Sequence, residues 1–218
     1  KEELSLILQE NTFQNNRYVI LNSFKEINKK TFYTKDFQLD NLNKGTITYS
    51  KGISFDVDET GKEIKIKQSN PTDWIFFKDV NFSNWIINFN GKLNFTNNDT
   101  ISQRFNSNGL TGCLNFLNSF FENTLIEINN GRCEDSVNII ESKGSIKSVN
   151  IYNSFSDGLD IDFSTISIDK LFVKNSGNDC LDVSGGKYKI SIANLSECHD
   201  KALSIGEVSE LNANEVKI

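Results

Sequence analysis

The chain has 218 residues, 37% of them hydrophobic, with a formal net charge of -6 and a pI near 4.9. That length suits one domain, or one solenoid of about six to eight coils with its cap. The acidic balance argues against nucleic acid or an anionic membrane as the main partner, because phosphate binding needs a basic surface; carbohydrate, a cation or another protein remains.

Residues 1–16 are mostly polar with one apolar cluster, Leu4, Leu6, Ile7 and Leu8, and are read as an N-terminal cap on the open end of a coil. The chain opens on Lys1 and contains no methionine, so the expectation is a processed or trimmed piece of something longer. Short strands follow at Tyr18 to Leu21, Thr31 to Tyr33, Phe37 to Leu39, Thr46 to Tyr49, Ile53 to Val57 and Ile64 to Ile66, between Asn, Lys, Asp and Gly clusters. The single proline, Pro71, fits continuous hydrogen-bonded coils. From Trp74 to Phe95 the alternation is more regular, with Val80, Phe82 and Asn84, then Trp85/Ile87/Phe89 and Leu93/Phe95. Residues 97–111, rich in Asn, Asp, Ser and Gly, read as a loop inserted between coils. Leu114/Phe116 and Ile126/Ile128/Asn130 resume the coil.

The next stretch repeats itself. Glu134-Asp-Ser-Val-Asn-Ile-Ile, Ser156-Asp-Gly-Leu-Asp-Ile-Asp, Asn178-Asp-Cys-Leu-Asp-Val-Ser and Asp200-Lys-Ala-Leu-Ser-Ile-Gly start 22 residues apart each time. Val137, Leu159, Leu181 and Leu203 form one apolar column, and Ile139, Ile161, Val183 and Ile205 a second. Ile146/Ile168/Ile190 and the pairs Val149/Ile151, Leu171/Val173 and Ala193/Leu195 keep the same interval. A period of two within each unit and a fixed period near twenty between units predict an all-β solenoid of three short strands per coil, a parallel β-helix with equivalent strands ~4.8 Å apart. The whole chain, 1–218, is read as one such domain. Asn84, Asn130, Asn153 and Asn175 are read as one asparagine ladder at the end of the third strand. Leu211, Val216 and Ile218 begin a further coil, whose uncapped end is expected to be covered by the remainder of a longer chain or by another subunit.

Cys113, Cys133, Cys180 and Cys198 form no CxxC pair, which argues against a zinc or thioredoxin-type site, and buried free thiols are expected over bridges. No apolar run approaches the ~20 residues of a membrane span, and no signal peptide is present in the sequence.

The chemistry is expected on the outward side of the first strand, where Asn138, Asp160, Asp182 and Ser204 alternate with the apolar columns, beside Asp162 and Ser184. A second polar column, Asp135, Asp157, Asp179 and Lys201, stands just ahead of the strand. Carboxylates stacked one strand apart repel. They persist together when a cation sits among them, when one keeps its proton, or when Lys201 offsets the charge. These arrangements suit polysaccharide chemistry: paired acids for hydrolysis, or calcium plus a base for elimination. The competing reading is structural, with bend aspartates accepting backbone N–H groups. His199, the only histidine, is read as a solvent-facing bend residue.

At these motifs the stretch from Glu134 to Glu207 resembles the right-handed parallel β-helix domains of bacterial surface proteins, some joined to spore-coat-kinase-like (CotH-type) modules. Polygalacturonases are similar at the same places: Asp157 matches the Asp of their Asn-Thr-Asp motif, Asn178-Asp179 their Asp-Asp and Asp200-Lys201-Ala202 their Gly-His-Gly. Asn replaces an acid at 178 and Lys the histidine at 201. Calcium-dependent pectate lyases resemble it through Ser-Asp-Gly-Leu-Asp and Asn-Asp-Cys-Leu-Asp. These resemblances imply a pectin lyase-like, right-handed fold in an extracellular or cell-envelope protein with a polysaccharide partner. They give Asp157, Asp179 and Lys201 catalytic roles, Asp160, Asp182 and Ser204 substrate contact, and Asp157, Asp160, Asp179 and Asp182 a Ca²⁺ ion. The alternative is a non-catalytic binding or scaffold module of a larger bacterial surface protein.

Overall fold

A computed structural model describes residues 32–39, 44–92, 104–106 and 109–218, and every regular element among them is a strand. The expected cap at 1–16, the strand at Tyr18 to Leu21, the Leu93/Phe95 pair and most of the loop at 97–111 lie outside the described residues.

The first strands are antiparallel. β1 (Phe32–Phe37) pairs with β2 (Gly45–Ser50), and β3 (Ile53–Asp58) forms a hairpin with β4 (Glu63–Gln68). The hairpin turn is fixed by Asp58, whose Oδ1 accepts the N–H groups of Thr60 and Gly61 at 3.0 and 2.9 Å. β2 also pairs antiparallel with β5 (Ile75–Lys78), and from β5 onward all pairing is parallel. β5, β6 (Asn81–Ser83) and β7 (Ile86–Asn90) make the first parallel coil, and β8 (Gly112–Leu117) with β9 (Phe120–Asn129) the second. β10 (Asp135–Ile140) with β11 (Lys143–Ser154), β12 (Asp157–Asp162) with β13 (Thr165–Ser176), β14 (Leu181–Ser184) with β15 (Lys187–Cys198), and β16 (Leu203–Ile205) with β17 (Glu210–Lys217) complete a β-solenoid of about six turns.

The expected columns are in register. Val137, Leu159, Leu181 and Leu203 stack, as do Ile139, Ile161, Val183 and Ile205, and the Ile146 and Val149 columns follow in the second sheet. Two sheets rather than three carry the coil, because the expected second and third strands are arms of one long strand. The bend between them drops only Lys147, Asp169 and Ser191 from the ladder. β9 keeps step with β11 on both sides of its bend, where two compensating shifts leave Asn123 in left-handed conformation (φ 50°); the one residue by which the second coil exceeds the later ones lies in the turn at residues 131–134.

The interior is aromatic at one end and aliphatic at the other. Phe77 stacks on Phe116 and Phe82 on Phe121, with ring centroids 5.7 and 5.6 Å apart and edge-on contacts between the pairs. Past β10 the core is mainly Val, Leu and Ile, with Tyr188, Cys180 and Ala193 among them. The asparagine ladder holds for three members: Asn175 donates to Asn153 at 3.0 Å and Asn153 to Asn130 at 3.3 Å, each with φ near 60°. Asn84 departs from the expectation. It accepts from Asn123 instead, because Val80/Phe82 stack on the start of β9 and the end of that coil falls at Asn90.

The cysteines overturn the expectation of free thiols. Cys113 is bonded to Cys133 and Cys180 to Cys198, with Cα atoms 5.2 and 5.4 Å apart. The pairs are 20 and 18 residues apart, close to one coil length, and a solenoid returns the chain to its starting point at that interval. Spacing rules based on CxxC do not see this closeness.

Candidate functional site

The site lies on the outward side of the sheet formed by β8, β10, β12, β14 and β16. Parallel register places Asn115, Asn138, Asp160, Asp182 and Ser204 in one column, and Asp162 beside Ser184 in the next. The second predicted column proves to be a capping chain. Asp157 Oδ1 accepts the Asp179 N–H at 2.8 Å and the Asn178 amide at 2.7 Å; Asp179 Oδ1 accepts the Lys201 N–H at 2.8 Å. Each aspartate thus secures the turn of the following coil, the structural role weighed for this column in the sequence. Lys201 completes it by pairing through Nζ with Asp179 at 3.3 Å and Asp200 at 2.7 Å. Those two carboxylates, Asp200 foremost, push the lysine above its usual value.

Asp135 breaks the chain, because the Asp157 N–H goes to the Glu134 carbonyl. Only 1% exposed, with Oδ2 unpartnered, Asp135 is pushed up to about 8 by burial, against a hydrogen bond from Thr111. Asn138, equally buried, donates through Nδ2 to Asp160 at 3.1 Å and Asp162 at 3.5 Å.

Asp160 is the centre of the cluster. Burial first, then the charges of Asp135, Asp162, Asp182 and Asp157, push it up to about 9. Burial also raises Asp157, Asp162 and Asp182; bonds from Asp179 and Asn178 oppose this at Asp157, Asn138 opposes it at Asp162, and Ser204 at Asp182. The arrangement offers a protonated carboxyl beside ionisable ones. Among the described residues, no three His, Cys, Asp or Glu side chains converge in a geometry able to hold a metal ion. Of the four expected calcium ligands, Asp157 and Asp179 spend an oxygen on backbone N–H groups, whereas Asp160 and Asp182 make no such bond to the next coil. His199 is exposed beyond the end of β15.

Two residues absent from the sequence reading frame this face. Phe155 and Phe163 flank β12 at its two ends and are 45% and 67% exposed. The Phe163 ring lies over Gly185 of the next coil, where φ is +61° and an added Cβ would come within 2.5 Å of the ring. The glycine supplies both the turn and the seat. A phenylalanine at a solenoid corner, breaking the inward alternation, was the available signal.

Fold and face together define the class of protein: a parallel β-solenoid with an acidic outward column edged by aromatic rings. Compared with protein-family models, with curated proteins and with solved structures, the chain finds no match.

Proposed function

We propose that the chain is a polysaccharide-recognising solenoid module whose contact face is the outward surface of β12 and β14. The observation that carries this reading is the pair of exposed rings, Phe155 and Phe163, at either end of a strand bearing Asp160 and Asp162. Sugar rings present an apolar face for stacking and hydroxyls for carboxylate oxygens, and the outward face of an extended strand offers both in line. Calcium enters this reading only as an ion shared between the polysaccharide and the carboxyls not engaged in capping turns, Asp160 and Asp182, since no three such side chains among the described residues converge on a metal geometry by themselves. Ser204 supplies a hydroxyl to the same column. The two disulfides support an oxidising location, extracellular or in the cell envelope.

Recognition is favoured over processing at Asp157 and Asp179, because their hydrogen bonds to the next coil are those of turn caps. One observation favours processing, centred instead on Asp160: a carboxyl pushed up to about 9 retains the proton a general acid needs. Affinity electrophoresis in gels containing acidic polysaccharides tests the proposal. Retardation of the parent, lost in Phe163→Ala with its unfolding midpoint unchanged, is the expected result. Equal mobility in every gel would sink it, and release of reducing ends or unsaturated products by the parent but not by Asp160→Asn would shift the reading to processing.

A further inference from the structure

The solenoid also has a recess at the corner where the first sheet turns into the second, on the early-coil stretch of the corner that carries Phe163 further along. It is a cavity of about 440 Å³ lined by Lys44, Asp79, Asn81, Asn118, Phe120 and Lys143, among others. Three elements build it. Asp79 and Asn118 occupy stacked left-handed corner positions, φ 59° and 48°, tied by the Asn118 amide donating to Asp79 Oδ1 at 2.6 Å. Asn81, Phe120 and Lys143 stand side by side at the start of three adjacent strands, roughly 4.8 Å apart. Gly45 brings the third element close: an added Cβ there would meet Lys78 O and Val80 Cγ2 at 2.6 Å, so only glycine lets Lys44 approach this corner.

The lining has a definite chemistry. Among the described residues neither Lys44 nor Lys143 makes an ion pair, and both are exposed in a chain of net charge -6. Asn118 has its NH₂ turned to Asp79 and so offers its carbonyl oxygen; Asn81 turns its oxygen toward the Ser83 hydroxyl at 3.0 Å, whose one proton is shared with Glu122 at 2.8 Å, and its NH₂ away from it. The Phe120 ring is 38% exposed. Two cations, a carboxylate already held by the Asn118 amide, one amide donor, one amide acceptor and a ring face, in a volume at the small end for ligand pockets, match a single ring carrying hydroxyls and one anionic group.

We propose that this corner cavity binds an acidic sugar, with the anion between Lys44 and Lys143 and the apolar face of the ring against Phe120. Carboxylated and sulfated sugars share that chemistry. Calorimetric titration of the intact chain with glucuronate, glucose 6-sulfate and glucose separates them. The expected result is binding of one or both acids, roughly tenfold or more tighter than glucose, weakened to a similar extent by Lys143→Ala and falling with added salt. Which acid binds identifies the anion. Phe120→Ala is expected to weaken the acids and glucose alike, with the unfolding midpoint followed as a check on folding. The Asp160→Asn/Asp182→Asn variant is expected to bind as the parent does, which keeps this site distinct from the acidic face. Equal affinity for glucose and glucuronate, no binding of any sugar, or unchanged affinity in Lys143→Ala overturns the proposal.

Discussion

The first two parallel coils and the four that follow share one plan and differ in how they keep it. Between Ile75 and Leu114 the chain takes 39 residues to return to the same column, where the later coils take 22. The early coils hold together through volume: four large rings, Phe77, Phe82, Phe116 and Phe121, fill the core by stacking and edge contact, and the left-handed Asn123 donates to Asn84 at the bend. In the later coils constant length places like on like, so that Asn130, Asn153 and Asn175 form a ladder and Asp157 and Asp179 a capping chain. Strict periodicity has a chemical consequence: an outward aspartate repeated at 22 residues becomes a stacked pair. The acidic face exists only where the repeat is strict, whereas the lysine-lined corner belongs mainly to the early coils.

Core truncations carry the largest expected effect in both halves. Phe116→Ala removes a ring packed against three others and is expected to cost about 3–5 kcal/mol; Leu159→Ala is expected to cost about 2–5 kcal/mol, both read by denaturant unfolding. Loss of the disulfides comes next. Reducing the chain is expected to cost ~3 kcal/mol per bridge, and Cys113→Ser/Cys133→Ser should leave the strand content unchanged by circular dichroism in native buffer. Asp179→Asn is smaller, about 1–2 kcal/mol, because it weakens the acceptor of the Lys201 N–H and the ion pair to its ammonium together.

The acidic face also gives a pH signature. Asp135 and Asp160 hold their protons in the fold to about pH 8 and 9, while in the unfolded chain they ionise near pH 4. Across that interval the unfolded chain binds fewer protons, so their contribution is full below about pH 4 and is lost as pH rises through 8 and 9. Asp160→Asn is therefore expected to match the parent at pH 4 and to exceed its stability by a margin that widens as pH rises to 9. A parent and variant with parallel stability curves from pH 4 to 9 would contradict the protonated Asp160.

The contrast between halves also decides what was legible in the sequence. The coil from Glu134 onward could be read because every inward residue recurs at a constant interval. The antiparallel pairing of β1 with β2 and of β3 with β4 was not, since alternation marks a strand without naming its partner. The register of Asn84 was misjudged for a related reason: Val-x-Phe-x-Asn suits the end of a coil, but the length of the neighbouring β9 shifts it one arm earlier. The carboxyl columns were legible as columns; the burial of Asp160 was not, because outward parity ordinarily means solvent, whereas Asp135 shares the inward parity of Val137 and Ile139, a signal its charge obscured. The disulfides, Phe155 and Phe163 depend on what the coil closure brings together, which appears only once the coils are stacked.

The most direct test is a calorimetric titration of an acidic polysaccharide, with and without calcium, into the parent and into Asp160→Asn/Asp182→Asn. The expected result is saturable binding by the parent, stronger with calcium, and its loss in a double variant that folds as well as the parent. Binding of undiminished strength in the double variant would show that the acidic face is not where the polysaccharide lies.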